Sequence, residues 1–411
     1  MLKIFNSLAM GDRGMRNIYI PVYFVLQIKN SFHFMLAFSA TVIFFLLSFN
    51  VVSELKAQTD LFSDMKFKGD FRFRFENTSN AEPKSVLLEG RNRLVVLFRY
   101  GFTKKISEIF DFGVRVATGS ADDPNTADVT LGSFVNDLEI SLDQLYLSMN
   151  IKNYFLSGGK FPNPFYRTDL VWDGDVNPEG ITGSYTLNGS GNFSSKVSGI
   201  FFIIDEFSGT DIPDSYMLGG QISFTGKPSD QMAFSLAGGY YDYDITNLSA
   251  STADAGDTRS NYLILDSTGT PIAYLSDFNL FDVIARCEYN GFGDYYSLNL
   301  IGNYVKNFGA SVDEDEGFGI DIFLGRGKKP NDFRIGYGYS QAETDAVLAA
   351  FSNDNTTIPT NYLQHTLIFD YVFLDNLMFN LTLYFYKYKQ VPENTKNEFI
   401  SRLRLNAVVR L

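Results

Sequence analysis

The residues able to do chemistry in this chain are few in kind. Its 411 residues include two histidines, His33 and His365, and one cysteine, Cys287. Nucleophilic catalysis needs a Ser or Cys beside a base, and a transition-metal centre needs several His or Cys together. His365 shares its phase with Leu363, Leu367, Phe369 and Tyr371, an apolar face on which a histidine is structural. Cys287 shares one with Phe281, Val283 and Tyr289. The residues therefore predict no enzyme, no catalytic residue, no metal site and no cofactor. A single cysteine also excludes an intrachain disulfide. What is left is charge. Arg72, Arg74, Arg91, Arg93, Arg99, Arg115, Arg402 and Arg404 stand on the polar side of extended segments. Residues 161–179 gather Arg167, Asp169, Trp172, Asp173, Asp175 and Glu179. A wall of guanidinium groups facing carboxylates sets up a field that attracts, orients and sorts charged solutes, with no bond broken. The plainer alternative is that these arginines pair with Asp70, Glu76, Glu398 and loop carboxylates, for solubility and rigidity.

The elements that must hold these arginines are strands. In residues 398–411, Phe399, Leu403, Leu405, Ala407, Val409 and Leu411 share one face, and Glu398, Arg402, Arg404, Asn406 and Arg410 the other. A period of two marks an extended strand with one apolar and one polar side. Residues 68–76 repeat it, with Phe71, Phe73 and Phe75 opposite Arg72 and Arg74. Residues 90–102 set Leu94, Val96, Phe98 and Tyr100 against Arg91, Arg93 and Arg99, and residues 110–118 set Phe112, Val114 and Val116 against Arg115. Alternation falters at Gln144–Tyr146, just after Asp143, where a bulge is expected.

Such strands suit a soluble sandwich, or a barrel whose apolar face meets lipid. The connections decide between them. Short ones at 103–107, 152–153, 188–192, 226–230, 291–294, 326–331 and 374–376 alternate with long ones at 77–88, 119–136, 161–179, 205–214, 246–276, 310–316, 343–360 and 390–396. A sandwich has no reason to alternate this way, whereas an outer-membrane barrel has tight periplasmic turns and long extracellular loops. The expected fold class is all-β: a transmembrane antiparallel β-barrel of about 16 strands with both termini periplasmic. Strands 16, 1, 2 and 3 become neighbours on closure, so most of the arginines fall on one wall.

Composition agrees. A mean hydropathy of −0.06 excludes a bundle of membrane helices, and aromatic residues reach 16%, with 40 Phe and 24 Tyr. A net charge of −13 argues against nucleic acid as a partner. The loops are acidic, as at Asp122, Asp123 and Asp128, at Asp205, Glu206, Asp211 and Asp214, and at 313–316, a run without the spacing of a calcium loop. The N-terminus stands apart. Residues 34–49 are almost unbroken apolar chain, followed by Leu55-Lys56-Ala57, the form of a secretory signal cut after Ala57. The expected division is a signal peptide over 1–57, with translation starting at Met15 or Met35, and the barrel over 58–411. The leader holds five basic and two acidic residues, so the barrel carries a charge near −16.

One segment is distinctive. Residues 159–180 read GKFPNPFYRTDLVWDGDVNPEG, with three prolines and the only tryptophan. Together with GDFRFRFE (69–76), RNRLVVLFRYG (91–101), GVRVATGSADDPN (113–125) and LDQLYL (142–147), it resembles the putative porin family of Gram-negative outer membranes. The resemblance is dense over 69–180 and rests on strand pattern beyond. It implies a pore-forming outer-membrane barrel with a cleaved signal, whose partners are membrane lipid and small hydrophilic solutes or ions. In general porins the third extracellular loop folds inward and narrows the barrel. Residues 161–179 hold that place here, between strands five and six.

The resulting expectation is a water-filled channel for passive diffusion, narrowed where Asp169, Asp173 and Asp175 face the arginine wall. An anion-specific channel built on that wall is the alternative. From another class comes an occluded barrel acting as an adhesin or scaffold. General porins are trimers, which keeps a homotrimer among the assemblies to test. One departure stands out: such barrels usually end in an aromatic residue, and this chain ends in Leu411.

Overall fold

A computed structural model of the chain describes residues 64–79, 91–120, 125–132, 137–188, 192–208, 211–248, 260–293, 296–392 and 397–411. The expected leader over 1–57, with its two candidate start sites, lies outside the described residues. Sixteen strands form the wall. The first eight are β1 (Met65–Ser79), β2 (Arg91–Lys105), β3 (Phe110–Thr118), β4 (Ile140–Ile151), β5 (Tyr154–Lys160), β6 (Glu179–Asn188), β7 (Phe193–Asp205) and β8 (Ser215–Ser229). The rest are β9 (Met232–Asp244), β10 (Phe278–Tyr289), β11 (Leu298–Asn307), β12 (Glu316–Leu324), β13 (Phe333–Ala342), β14 (Tyr362–Leu374), β15 (Leu377–Tyr388) and β16 (Ile400–Arg410). Each pairs antiparallel with the next, and β1 pairs with both β2 and β16, so the sheet closes. A two-residue strand, Val129–Thr130, continues the wall along β2 beyond the end of β3. A separate hairpin, Leu263–Leu265 with Pro271–Tyr274, stands in the loop between β9 and β10.

Closure sorts the two faces as the alternation requires. Phe71, Phe73 and Phe75 point outward, 37–42% exposed, while Arg74, between the last two, and Glu76, next after Phe75, are 4% and 1% exposed. On β16, Leu405 is outward at 46% and its neighbour Arg404 inward at 5%. In water an outer wall of Phe, Leu, Ile and Tyr would be untenable, but in hydrocarbon it is the solvated surface. His365 belongs to this wall, its Nδ1 2.9 Å from the Tyr337 hydroxyl. The bulge falls beside Asp143. Arg115 pairs with Gln144 and Val116 with Leu142, so Asp143 is the extra residue. Its effect is that Asp143 and Gln144 both face the bore while Leu142 and Leu145 face out. Tyr146 turns inward over Gly113, where a Cβ would lie 2.2 Å from the ring. Leu411 extends the seam, since its N–H donates to the Gly69 carbonyl at 2.9 Å.

Several expected boundaries move. β1 runs to Ser79, the β8–β9 turn tightens to Asp230-Gln231, and the β10–β11 turn lengthens to 290–297. Glu179, expected in the loop, opens β6 and pairs with Lys160 across the β5–β6 ladder at 2.6 Å.

Because Leu405 meets lipid, Leu405→Arg places a charge in hydrocarbon. The expected loss is about 2–4 kcal/mol if the site lies at the bilayer midplane. Equilibrium urea unfolding in lipid vesicles measures it, with Ser401→Arg, nearer the end of the strand, as the milder control.

Candidate channel constriction

Residues 161–178 leave the wall through a pair of glycines. Gly159 and Gly180 are register partners with φ of 118° and 140°. A Cβ on them would lie 2.3 Å from the Leu145 carbonyl oxygen and 2.2 Å from that of Phe201. No other residue type fits both demands, and the loop turns into the barrel between them, with Phe161 N–H donating to the Pro178 carbonyl at 3.0 Å. Phe161, Phe165, Leu170, Val171, Trp172 and Val176 are all buried against the inner wall of β7–β11. Trp172 meets Tyr241 edge-on at 5.6 Å and stacks on Phe351 at 6.0 Å. Gln221 on β8 holds both backbone groups of Tyr166, at 2.8 and 2.7 Å, and Thr168 bonds Asn303 on β11. The loop is therefore amphipathic across its width, with an apolar side on the wall and a polar side toward the bore.

The polar side sorts the expected residues. Asp175 reaches the arginine wall, 2.5 Å from Arg99. Asp173 does not; it is 5% exposed and accepts the Asp175 N–H at 2.8 Å within its own loop. Asp169 opens to the bore, held by Asn355 Nδ2 at 3.0 Å. Arg167 folds back on its own loop, donating to the carbonyls of Trp172 (3.3 Å) and Gly174 (3.0 Å). Burial, with Asp354 and Asp169 close by, pushes the Asp173 carboxyl well up. Asp354 is raised by burial too, against the pull of Arg404. Asp169, open to the bore yet ringed by protein, is raised for the same reason, against Arg167.

The arginine wall is largely self-neutralised. Arg72 and Arg74 share Asp128, and Arg115 pairs with Asp143. Arg99 takes Asp70 at 3.0 Å as well as Asp175. Glu76 receives Arg93 at 2.7 Å, Arg404 at 2.8 Å and Arg402 at 3.6 Å. Seven guanidiniums thus meet five carboxylates, leaving a net charge of about +2 on the wall at neutral pH. Arg91 stands apart at the exposed extracellular end of β2.

Sequence reasoning offered loop carboxylates as arginine partners without singling out Asp128, and it missed Asn355 and a second inserted loop, residues 343–361. Its one available signal was Ala346–Phe351, an apolar run inside what was expected only as a long connection over 343–360.

The sequence matches the model of the putative porin family over residues 54–273. The chain belongs to that family. Its fold is similar to OprB of Pseudomonas putida, with a TM-score of 0.55 at 12% identity, covering 85% of this chain and 94% of that one. The outer-membrane channel DcaP of Acinetobacter baumannii is similar at TM-score 0.48 and 13% identity, over 84% of this chain and 97% of that one. OmpF of Salmonella typhi is similar at 0.48 and 8%, over the same shares. At such identities the likeness concerns the fold. No curated protein matches the sequence. Family and fold together make the chain a porin-type barrel of the outer membrane.

Glu76 carries three guanidiniums at 1% exposure. Glu76→Ala leaves them buried without their anion, and a loss of about 3–5 kcal/mol is expected. A fall in the temperature at which the folded band disappears on heated gels reports it, and Glu76→Gln should cost less.

Proposed function

We propose that the barrel is a passive diffusion channel for small hydrophilic solutes and ions, narrowed by residues 161–178. The observation that carries this is the loop itself, seated on the inner wall by its apolar side with Asp169 open to the bore. The solute class follows from a lumen of Arg, Asp, Asn, Gln, Ser and Thr around that opening. Charge pairing refines the expected field. The wall keeps about +2 at neutral pH, while Asp169, Asp173 and Asp354 against Arg167 reach about −2 only when fully ionised, and burial raises all three carboxyls. So small a net charge supports filtering of dipolar solutes with at most a mild anion preference, and the anion-specific channel stays the alternative.

The occluded scaffold is favoured by one observation, the apolar core that fills the β7–β11 side of the bore. Export through a signal over 1–57 accompanies the channel reading. A homotrimer contact fits the outer wall of β6–β8. There Gly183 pairs with Gly199 and Gly199 with Gly220, and Cβ atoms on the last two would meet nothing nearer than 3.7 Å. The fold does not require glycine there, and small residues let another backbone approach closely within a membrane.

Single-channel recording in asymmetric KCl tests the channel. Stepwise ohmic openings are expected in the parent, and changing Asp169, Asp173 and Asp175 together to Asn should shift the reversal potential toward anions. Unchanged conductance and ion preference would take these carboxylates out of the pore. In the parent, cation preference should grow from mildly acid to alkaline pH, as the raised carboxyls ionise. For assembly, Gly199→Leu should leave the barrel folded and deplete the cross-linked trimer; an undiminished trimer band would move the contact elsewhere.

A further inference from the structure

We propose that a second inserted loop, residues 343–361, sets the bore together with residues 161–178, and that Asn261 is the positioning residue that holds it there. The proposal rests on the channel reading above. Phe351 is the wedge of this second loop. It stacks on Trp172, meets Phe202 at 5.3 Å, and its carbonyl accepts the Asp173 N–H at 2.8 Å. Four residues on, Asn355 faces the other way. Its carbonyl accepts from Arg402 at 2.8 Å, its Oδ1 accepts from Arg404 at 2.7 Å, and its Nδ2 donates to Asp169. The segment therefore bridges the first loop to the arginine wall, and the position of Asp169 depends on it.

The apolar side of the segment, with Ala346, Val347, Leu348, Phe351 and Ile358, is buried in the core, but its only regular structure is the single turn Ala349–Phe351. The polar hold comes from the preceding long loop. Asn261 is 5% exposed and donates from Nδ2 to the carbonyls of Thr344 at 2.8 Å and Val347 at 2.9 Å, while its Oδ1 accepts the Ala349 N–H at 2.8 Å. A primary amide is the side chain that donates twice and accepts at once, and here all three bonds land on residues 344–349 of the inserted loop. Around it, Asp345, wholly buried, accepts from Tyr262 N–H at 3.0 Å and Ser276 Oγ at 2.6 Å. Asn307 at the end of β11 donates to the Asp345 carbonyl at 2.8 Å. The clasp is not fully satisfied, because Ser260 Oγ and Thr344 Oγ1, one on each side of it, are buried without a partner. Unmet polar groups lower the cost of leaving the site for water.

The test compares parent, Asn261→Ala, Phe351→Ala and the double variant of the exported protein. The readouts are single-channel conductance, vesicle uptake of sugars of graded size, and heated-gel mobility as the check on barrel folding. Asn261→Ala should keep the folded band, raise conductance at least about twofold, and admit larger sugars. Phe351→Ala should do the same, and the double variant should add little to either, because both release one segment. A chain with residues 346–352 replaced by a Gly-Ser linker covers the case in which Asn261→Ala does not fold. Folded Asn261→Ala and linker chains that conduct and sieve like the parent overturn the inference. Parent and variants all folded and all silent remove the channel reading, and the inference with it.

Discussion

The pairing of β1 with β16 is the constraint on which the rest depends. In hydrocarbon no water is present to satisfy a free strand edge, so a sheet must close or lie elsewhere. Ten register pairs, from Asp70 with Arg410 to Ser79 with Ser401, make that closure. Once it is made, the side-chain period of two divides every strand between lipid and bore. The long polar side chains of β16, β1, β2 and β3 are then enclosed together. Their charges cannot be left bare, and the glutamate that collects three arginines and the aspartate that collects two are the response.

Enclosure also explains the loops. A sixteen-stranded barrel is wider than its own wall side chains can fill, and the sector β7–β11 lines the inside with Ile200, Phe202, Met217, Tyr241, Tyr243, Leu280 and Val305. Those apolar groups need cover. Residues 161–178 and 343–361 provide it, each turning a hydrophobic side to the wall and to the other. The bore thus has an apolar, loop-covered side and a polar, ion-paired side, and what remains open lies between.

The wall was legible in the sequence because period two is a local signal. Phe71, Phe73, Phe75 and the arginines between them declare their faces within a few residues. The alternation of connection lengths gave the strand number for the same reason, whereas the inward course of residues 161–179 was implied by the resemblance to porins, whose third loop folds inward. Pairing was not legible, since Arg74 meets Asp128 across 54 residues and Arg404 meets Glu76 across 328. The paired-arginine alternative could be written down but not chosen. Glu179 was misplaced because three prolines blurred where the strand resumes. Residues 346–351 were read as ordinary loop because nothing local tells an apolar run that folds inward from one that does not. Asp143 sits between these cases: broken alternation showed that a bulge exists, but which residues it aims at the bore depends on Arg115 across the strand pair.

The seam has a temporal side. The first strand of the wall finds one of its two partners in β16, far along the chain, and Leu411 bonds back to Gly69. Until β16 has arrived, β1 therefore presents an unsatisfied edge bearing alternate phenylalanines, the kind of edge that recruits stray strands. Contacts of such long sequence separation are the slowest to form. The chain must consequently be kept from its neighbours during the interval between synthesis of β1 and of β16, and loss of a few residues of β16 would prolong that exposed state.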